Sequence, residues 1–284
     1  MTNITLKLLS FSFGNAKLSK QISHFNLPAG HSCPFADQCL SKADRFTGKI
    51  TDGPNTKFRC YAASEEAPYP NVRNIRWNNF ELLLTAKTMD NMALLIQSSL
   101  PLDINIIRIH TAGDFFSEQY FLAWLNVALN NPSIIFYGYT KSLNYLVKYK
   151  KHIPKNFRFT ASKGGKLDHL IEKHKLKYVE VVFSEQEAFE KNLDIDHDDA
   201  LAIYSNTSFA LLLHGTQPVN TPASIALKKL RTLGIGGYSK NKSKKLHTSP
   251  SLEFKIHIKF TPTRPKRVSH KFINSSLTFN QSML

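Results

Sequence analysis

Short apolar runs and helical runs alternate along the sequence from residue 104 to residue 234. The apolar runs cover residues 104–110, 134–139, 157–161, 178–183 and 209–214. Helical spacing follows Ser117, Ser142 and Ser184, and the last helix begins at Thr221-Pro222 and ends at Gly234. Such alternation predicts an α/β fold with a mostly parallel sheet of repeated βα units, similar to a partial barrel. The periodicity of the sequence does not decide whether the sheet closes into a barrel or stays open.

The rest of the sequence predicts a different organisation on either side of this array. A helical pattern covers residues 74–99, and a short strand is expected over residues 201–204. Residues 15–63 are rich in turn-forming residues, which predicts a loop-rich region ordered by ligands and not by a core. We therefore expect an α/β domain over residues 1–238 and a basic, partly disordered tail over residues 239–284.

The net charge of +16 is concentrated towards the end of the chain. Residues 239–284 contain ten lysines and arginines against one acidic residue, Glu253. Such a tail is suited to binding nucleic acid through counterion release, or it is only a solvated extension. No apolar stretch is long enough to cross a membrane, and the first residues lack a secretory signal. We expect a protein of the cytoplasm or another reducing compartment, such as an organelle stroma, that is not secreted.

The three cysteines, Cys33, Cys39 and Cys60, lie within one short region. An odd number argues against a disulfide framework, and their clustering favours metal or cluster binding. Three thiolates on a four-iron cluster leave one iron open, whereas a zinc ion would take His31 or water as its fourth ligand. Three buried free thiols are the remaining interpretation.

Polar side chains follow most of the predicted strands, at the edge where parallel α/β sheets place functional residues. We take five of these residues as catalytic candidates: His110, Asp114, Lys141, Lys163 and His214. Four are candidates for cofactor binding: Gly113, Asp114, Thr140 and Ser162. Taken singly, the histidines are also compatible with the core, and Asp114 with a loop-stabilising role.

Two further groups of residues are weaker candidates. Lys163-Gly164-Gly165 forms a glycine turn that is suited to an anion, but its spacing matches no nucleotide-binding fingerprint. The acidic run at residues 196–199 is suited to a divalent cation, although an exposed turn is the preferred interpretation.

Several motifs resemble the phage "gene product 88" family over roughly residues 10–240. They are LPAGHSCP at residues 27–34, CLSKADR at 39–45, FRCYAASEE at 58–66, RIHTAGDFFS at 108–117, FYGYTKS at 136–142, DHDD at 196–199 and LHGTQ at 213–217. The family occurs in phages and mobile elements, and the resemblance implies no particular activity.

A looser likeness is to radical S-adenosylmethionine enzymes, which also place three cysteines ahead of a parallel βα array. Cys60-Tyr61-Ala62 looks like the final cysteine of their cluster loop, and Gly113-Asp114 like the turn that holds the methionine amino group. The gaps between the cysteines differ: five and twenty residues here against three and two in those enzymes.

Three functions follow as hypotheses. The first is an iron–sulfur protein that binds its cluster through Cys33, Cys39 and Cys60 and performs chemistry like that of radical S-adenosylmethionine enzymes. The alternative is a zinc-stabilised, non-catalytic accessory protein that binds nucleic acid through the basic tail. The third is a phage accessory protein whose metal is purely structural.

Overall fold

The computed structural model describes residues 7–15 and 17–235. Their strands are Phe11–Phe13 (β1), Ile22–Phe25 (β2), Ser41–Ala43 (β3), Ile50–Asp52 (β4), Ile106–Ile109 (β5), Ile135–Thr140 (β6), Phe157–Ser162 (β7), Tyr178–Val182 (β8), Asp194–Ile195 (β9) and Phe209–Leu212 (β10). Eight of them form one sheet in the order β1-β2-β5-β6-β7-β8-β10-β9, and β3 and β4 form a separate antiparallel pair.

The large sheet is parallel except at one edge, where β1 pairs antiparallel with β2. The prediction of a mostly parallel sheet of βα units is therefore confirmed. In the described part of the chain the sheet is open, with β1 and β9 at its edges, and it does not close into a barrel.

The helices are Tyr61–Glu66 (α1), Pro70–Ala86 (α2), Met89–Ser99 (α3), Glu118–Asn130 (α4), Leu143–Lys148 (α5), His169–His174 (α6), Glu185–Glu190 (α7), Ala200–Tyr204 (α8) and Pro222–Thr232 (α9), with a 3-10 helix at Lys150–His152. Side-chain caps begin three of them as expected: Ser117 accepts a hydrogen bond from Tyr120 N, Ser184 accepts one from Glu187 N, and Thr221 forms a capping box with its N3 residue. The Ser142 hydroxyl instead donates to the Phe115 carbonyl at 2.9 Å.

Three sequence-based expectations about the elements are wrong. Residues 74–99 are not one helix, because Lys87 adopts a φ of 63° and Thr88 caps a new helix. Residues 201–204 belong to helix α8, and the neighbouring strand is β9. The region 15–63 is ordered in part by the core, since β2 lies inside the main sheet, pairs with β5 and contributes Phe25 to the core.

The core lies on both faces of the sheet. Helices α3 to α6 cover one face with a large aromatic cluster that includes Trp124, Phe121 and Phe115, each fully buried. A smaller cluster on strands β6, β8 and β10 contains Ile203 of α8 and Leu18. In the described residues no helix is long and apolar enough to cross a membrane. The basic tail at 239–284 lies outside the described residues.

Candidate functional site

A cavity of about 350 Å³ opens at the carboxyl edge of the sheet, where the parallel strands end. It is lined by nearly every candidate residue and by all three cysteines. These residues are Cys33, Cys39, Cys60, His110, Gly113, Asp114, Thr140, Lys141, Ser162 and His214. The loops after β5, β6, β7 and β10 therefore meet the cysteine region around one space.

Lys163 is the candidate that the structure places apart from the cavity. Its exposed side chain forms an ion pair with Glu180, with 3.1 Å between Nζ and Oε2. The glycine turn after it does not hold an external anion either, because the amides of Gly164 and Gly165 donate to the Asp168 carboxylate at 2.7 and 2.9 Å.

Backbone hydrogen bonds hold the cysteine region against the ends of the strands. Gln38 N donates to Gly164 O at 3.0 Å, and Lys166 N donates to Phe35 O at 3.0 Å, so the Cys33–Cys39 segment rests on the turn after β7. Nearer β5, Leu27 N donates to Ala112 O at 2.9 Å. These bonds hold the Cys33–Cys39 segment at the cavity, and Cys60 is tied to the same region because its N donates to Ser41 Oγ at 3.3 Å.

The thiols lie in an enclosed environment with amide donors directed at two of them. Burial raises the pKa of the Cys33 thiol well above its ordinary value, and the backbone of Gly30 opposes this by hydrogen-bonding to it. Burial likewise raises the pKa of Cys60 to about 11. Hydrogen bonds from the backbones of Ala63 and Ala62 in helix α1 oppose this rise. Amides that donate to sulfur stabilise the thiolate form.

Among the described residues, no group of three or more His, Cys, Asp or Glu side chains is spaced to hold a metal ion. His31, which was considered beside water as the fourth ligand of a zinc ion, lies outside the cavity lining. Its Nε2 is 3.1 Å from the Ala43 carbonyl oxygen, and its ring packs 4.8 Å from that of Trp77.

Asp114 binds the loops after β5 and β6 together. Its Oδ1 accepts hydrogen bonds from the Thr140 hydroxyl and from Phe115 N, and its Oδ2 accepts one from Lys141 N at 2.7 Å. Burial raises the pKa of the carboxyl group, and these donors oppose that rise. The contacts of Asp114 within the protein are thus to its own loops, at the wall of the cavity.

Lys141 places a cation beside the thiols. Its Nζ lies 2.6 Å from Ser162 Oγ. Burial lowers the pKa of the ammonium, but the neighbouring Asp114 and Cys39 side chains outweigh this effect and raise it above its ordinary value. Lys141 therefore stays protonated at neutral pH.

Both candidate histidines are neutral at pH 7. Burial lowers the pKa of His110 to about 3, and its Nε2 lies 2.9 Å from the Tyr120 hydroxyl. Burial also lowers the pKa of His214 to about 4, and its ring packs 4.6 Å from that of Tyr61. The His110 Nδ1 atom is buried and has no hydrogen-bond partner within the described residues.

Sequence reasoning missed a buried ion cluster at the far wall of the cavity. Asp199 is fully buried and accepts contacts from Arg108 at 2.5 Å and from Lys17 at 2.6 Å. The hydroxyls of Tyr137 and Tyr139 donate to the same carboxylate, each at 3.0 Å. An arginine inside the apolar strand β5 was the available signal, because a buried guanidinium requires an anion.

The interpretation of residues 196–199 as an exposed turn is therefore wrong for Asp196 and Asp199, whereas His197 and Asp198 are exposed. Asp196 and Asp199 expose 2% and 0% of their surface. The Arg108 and Lys17 cations hold the pKa of Asp199 below its ordinary value despite its burial. Asp199 thus serves as a counter-ion in the core, with protein cations as its partners.

Comparison with known proteins gives the same family as the motifs. Residues 7–229 match the family model described as "Gene product 88". The chain is similar to the "Gene 88 protein" of Mycobacterium phage L5, with 32% identity over 138 residues that cover 45% of this chain and 51% of the relative. The "Gene 88 protein" of Mycobacterium phage D29 is 31% identical over 140 residues, covering 45% and 50%.

The chain spans about half the length of these curated relatives. No solved structure matches it. Neither the family model nor the two phage proteins support the looser likeness to radical S-adenosylmethionine enzymes. The family match covers most of the chain, including the cysteine region and every strand around the cavity, and on this basis the chain belongs to the Gene product 88 family.

Proposed function

We propose that the cavity is a ligand-binding and catalytic site in which Cys33, Cys39 and Cys60 bind an iron–sulfur cluster. The observation that carries this proposal is that all three cysteines of the chain line one cavity at the carboxyl edge of a parallel sheet. Three thiolates would leave one iron of a four-iron cluster without a protein ligand, and that iron would be open to a small molecule in the cavity.

Two features of the cysteine region support this proposal. Each thiolate binds a different iron, so a cluster accepts sulfurs that are farther apart than the ligands of one zinc ion. The amides that hydrogen-bond to Cys33 and Cys60 are typical partners of cluster sulfurs, because they stabilise negative charge there. The amide hydrogen bonds suit either metal centre, and the wider spacing that a cluster accepts favours it over the alternative of a structural zinc ion.

The cavity residues have separate tasks in this proposal. Lys141 offsets the negative charge of a thiolate-bound cluster, since its ammonium faces Cys39 and Cys60 in a buried site. Asp114 fixes the loops after β5 and β6 relative to each other, and so sets the distance between the cysteine region and Lys141. When bound, the cluster supplies one-electron chemistry.

S-adenosylmethionine is the first ligand to test at the open iron, on the likeness of Cys60-Tyr61-Ala62 and Gly113-Asp114 to the corresponding enzymes. The reconstituted protein is expected to bind it, and the Cys60→Ser variant is not. A reconstituted cluster without S-adenosylmethionine binding would retain the cluster proposal and remove the radical interpretation.

Anaerobic reconstitution with iron and sulfide tests the cluster. The full chain is expected to become brown, with about four irons and four sulfides per chain. Cys33→Ser, Cys39→Ser and Cys60→Ser should each lose most of the iron. Lys163→Ala is the matched control, because Lys163 follows β7 like the cavity residues but lies outside the lining.

Circular dichroism separates loss of the cluster from loss of the fold. The three cysteine variants are expected to keep the wild-type helix and strand signal, because the large apolar core does not include them. The proposal fails if the folded variants keep their iron. It also fails if the purified wild-type chain contains one zinc ion and no iron, which is the outcome expected for the zinc-stabilised accessory protein.

A further inference from the structure

The positive charge of the α/β domain is concentrated in one stretch. Residues 143–177 contain ten lysines and arginines and only two acidic residues, Asp168 and Glu172. The remainder of residues 1–238 contains seventeen basic and eighteen acidic residues, so it is almost neutral. The excess positive charge of the folded domain therefore lies in α5, α6 and the segments that follow them.

These segments form one surface. Helices α5 and α6 lie on the same face of the sheet, and residues of both contribute to the same core cluster. Both connect neighbouring parallel strands, so they run in the same direction and end away from the cavity. The five exposed lysines at and after their C-terminal ends, here called the basic face, are Lys150, Lys151, Lys155, Lys173 and Lys175.

The lysines of the basic face differ from the structural cations next to them. In the described part of the chain none of the five takes part in an ion pair. By contrast, Lys177 and Arg158 have structural roles, since they donate to backbone carbonyls in and after α8, including Ala202 O and Ile203 O. One cation at the C-terminus of each helix is enough to interact favourably with the helix dipole, so the dipoles of α5 and α6 do not account for five lysines.

We propose that the basic face binds the phosphate backbone of nucleic acid, without reading the base sequence. Exposed lysines are mobile point charges that suit phosphates, whereas base recognition favours arginine, asparagine and glutamine. A membrane surface fits less well, because membrane-binding faces combine basic with exposed apolar residues. Among the described residues, none of the large exposed apolar side chains falls between Leu129 and Phe189.

The test measures binding of the full chain to a fluorescent duplex DNA of mixed sequence over a range of salt concentrations. One variant replaces the five lysines of the basic face by glutamine. The control variant carries five Lys→Gln changes at exposed positions elsewhere, namely Lys20, Lys49, Lys87, Lys228 and Lys229. Both variants have the same net charge, and both keep the basic tail.

The basic-face variant is expected to bind DNA about tenfold more weakly or worse, and its plot of log affinity against log salt should be less steep by about 4. The control variant should remain close to the wild type. The proposal is overturned if both variants bind like the wild type, or if both weaken equally, because net charge alone then explains binding. It is also overturned if the basic-face variant loses binding to anionic lipid vesicles and keeps its affinity for DNA.

Discussion

Gly113 shows how closely the cysteine region approaches the end of β5. Its φ is 90°, and a Cβ at this position would lie 2.6 Å from Leu27 Cβ and 2.7 Å from Ser32 Oγ. The residue therefore combines a left-handed backbone with a contact that admits no side chain.

Replacing Gly113 by alanine should therefore lower the free energy of unfolding by more than about 2 kcal/mol, through backbone strain and displacement of Leu27. Urea denaturation measures the change. Gly234→Ala is the control, because Gly234 has a φ of 74° but no atom within 4 Å of the added Cβ. If both variants lose the same free energy of unfolding, the close packing at Gly113 adds nothing to the effect of backbone strain.

His110 makes the stability of the protein sensitive to acid. Its pKa is about 3 in the folded state, because burial disfavours the imidazolium, against an ordinary value of 6.5 when unfolded. Between these values only the unfolded chain binds the proton, so this contribution is complete above pH 6.5 and is lost as the pH falls. The expected loss from pH 7 to pH 5 is about 2 kcal/mol.

Urea unfolding at pH 7 and pH 5 measures this loss. The His110→Gln variant should show a smaller difference between the two pH values, since glutamine does not titrate. His214 and His24 have lowered pKa values as well and contribute to the dependence that remains. An identical pH dependence in wild type and variant would contradict the assignment to His110.

At the scale of elements, Asp199 connects parts of the chain that are far apart in sequence. It precedes α8 and binds Arg108 on β5, Tyr137 and Tyr139 on β6, and Lys17 ahead of β2. Its carboxylate thus pairs with two cations and accepts two hydroxyl hydrogen bonds. The cluster holds the far wall of the cavity in place.

Asp199→Ala should destabilise the protein by about 3–5 kcal/mol, because it leaves the buried Arg108 guanidinium without its counter-ion. Thermal and urea unfolding measure the loss. Asp194→Ala is the comparison, since Asp194 is exposed on β9 and its replacement should cost less than about 0.5 kcal/mol. A loss below 1 kcal/mol for Asp199→Ala would show that the cluster is not a stabilising unit.

Elements with a strong local pattern could be predicted from the sequence, and those defined by tertiary contacts could not. The strands β5 to β8 and β10 are apolar runs with clear helix starts between them, and the structure contains all five. Strand β2 has only four residues, and its pairing partner β5 lies more than 80 positions along the chain. No local signal identifies such a pairing.

The same limit applies to the candidate site. The rule that parallel strands collect functional residues at their carboxyl ends placed His110, Asp114, Lys141 and His214 around one cavity. The burial of Asp199 was missed because an acidic run predicts exposure unless its cations are known. Lys163 was included because its side-chain direction at the end of β7 does not follow from the sequence.

At the scale of the whole molecule, positive charge occurs in two places: the basic face of the domain and residues 239–284. Removing residues 239–284 should weaken retention on nucleic acid and flatten its salt dependence, because ten basic residues are lost with one acidic residue. The domain should unfold at an unchanged temperature, since its last helix ends at Thr232. Affinity that stays unchanged after truncation would contradict a role for the tail.

A hydrogen bond from Arg59 N to Gln217 joins two parts of the site that are 158 residues apart in the chain. These two parts therefore leave the ribosome at different times. At a synthesis rate of about 5–20 residues per second, roughly 8 to 30 seconds separate the appearance of Cys60 from that of the loop after β10. During that interval the three thiols belong to a nascent chain whose enclosing wall does not yet exist. Oxidants therefore have their widest access to the thiols before translation ends, and so would iron if the thiols bind the proposed cluster.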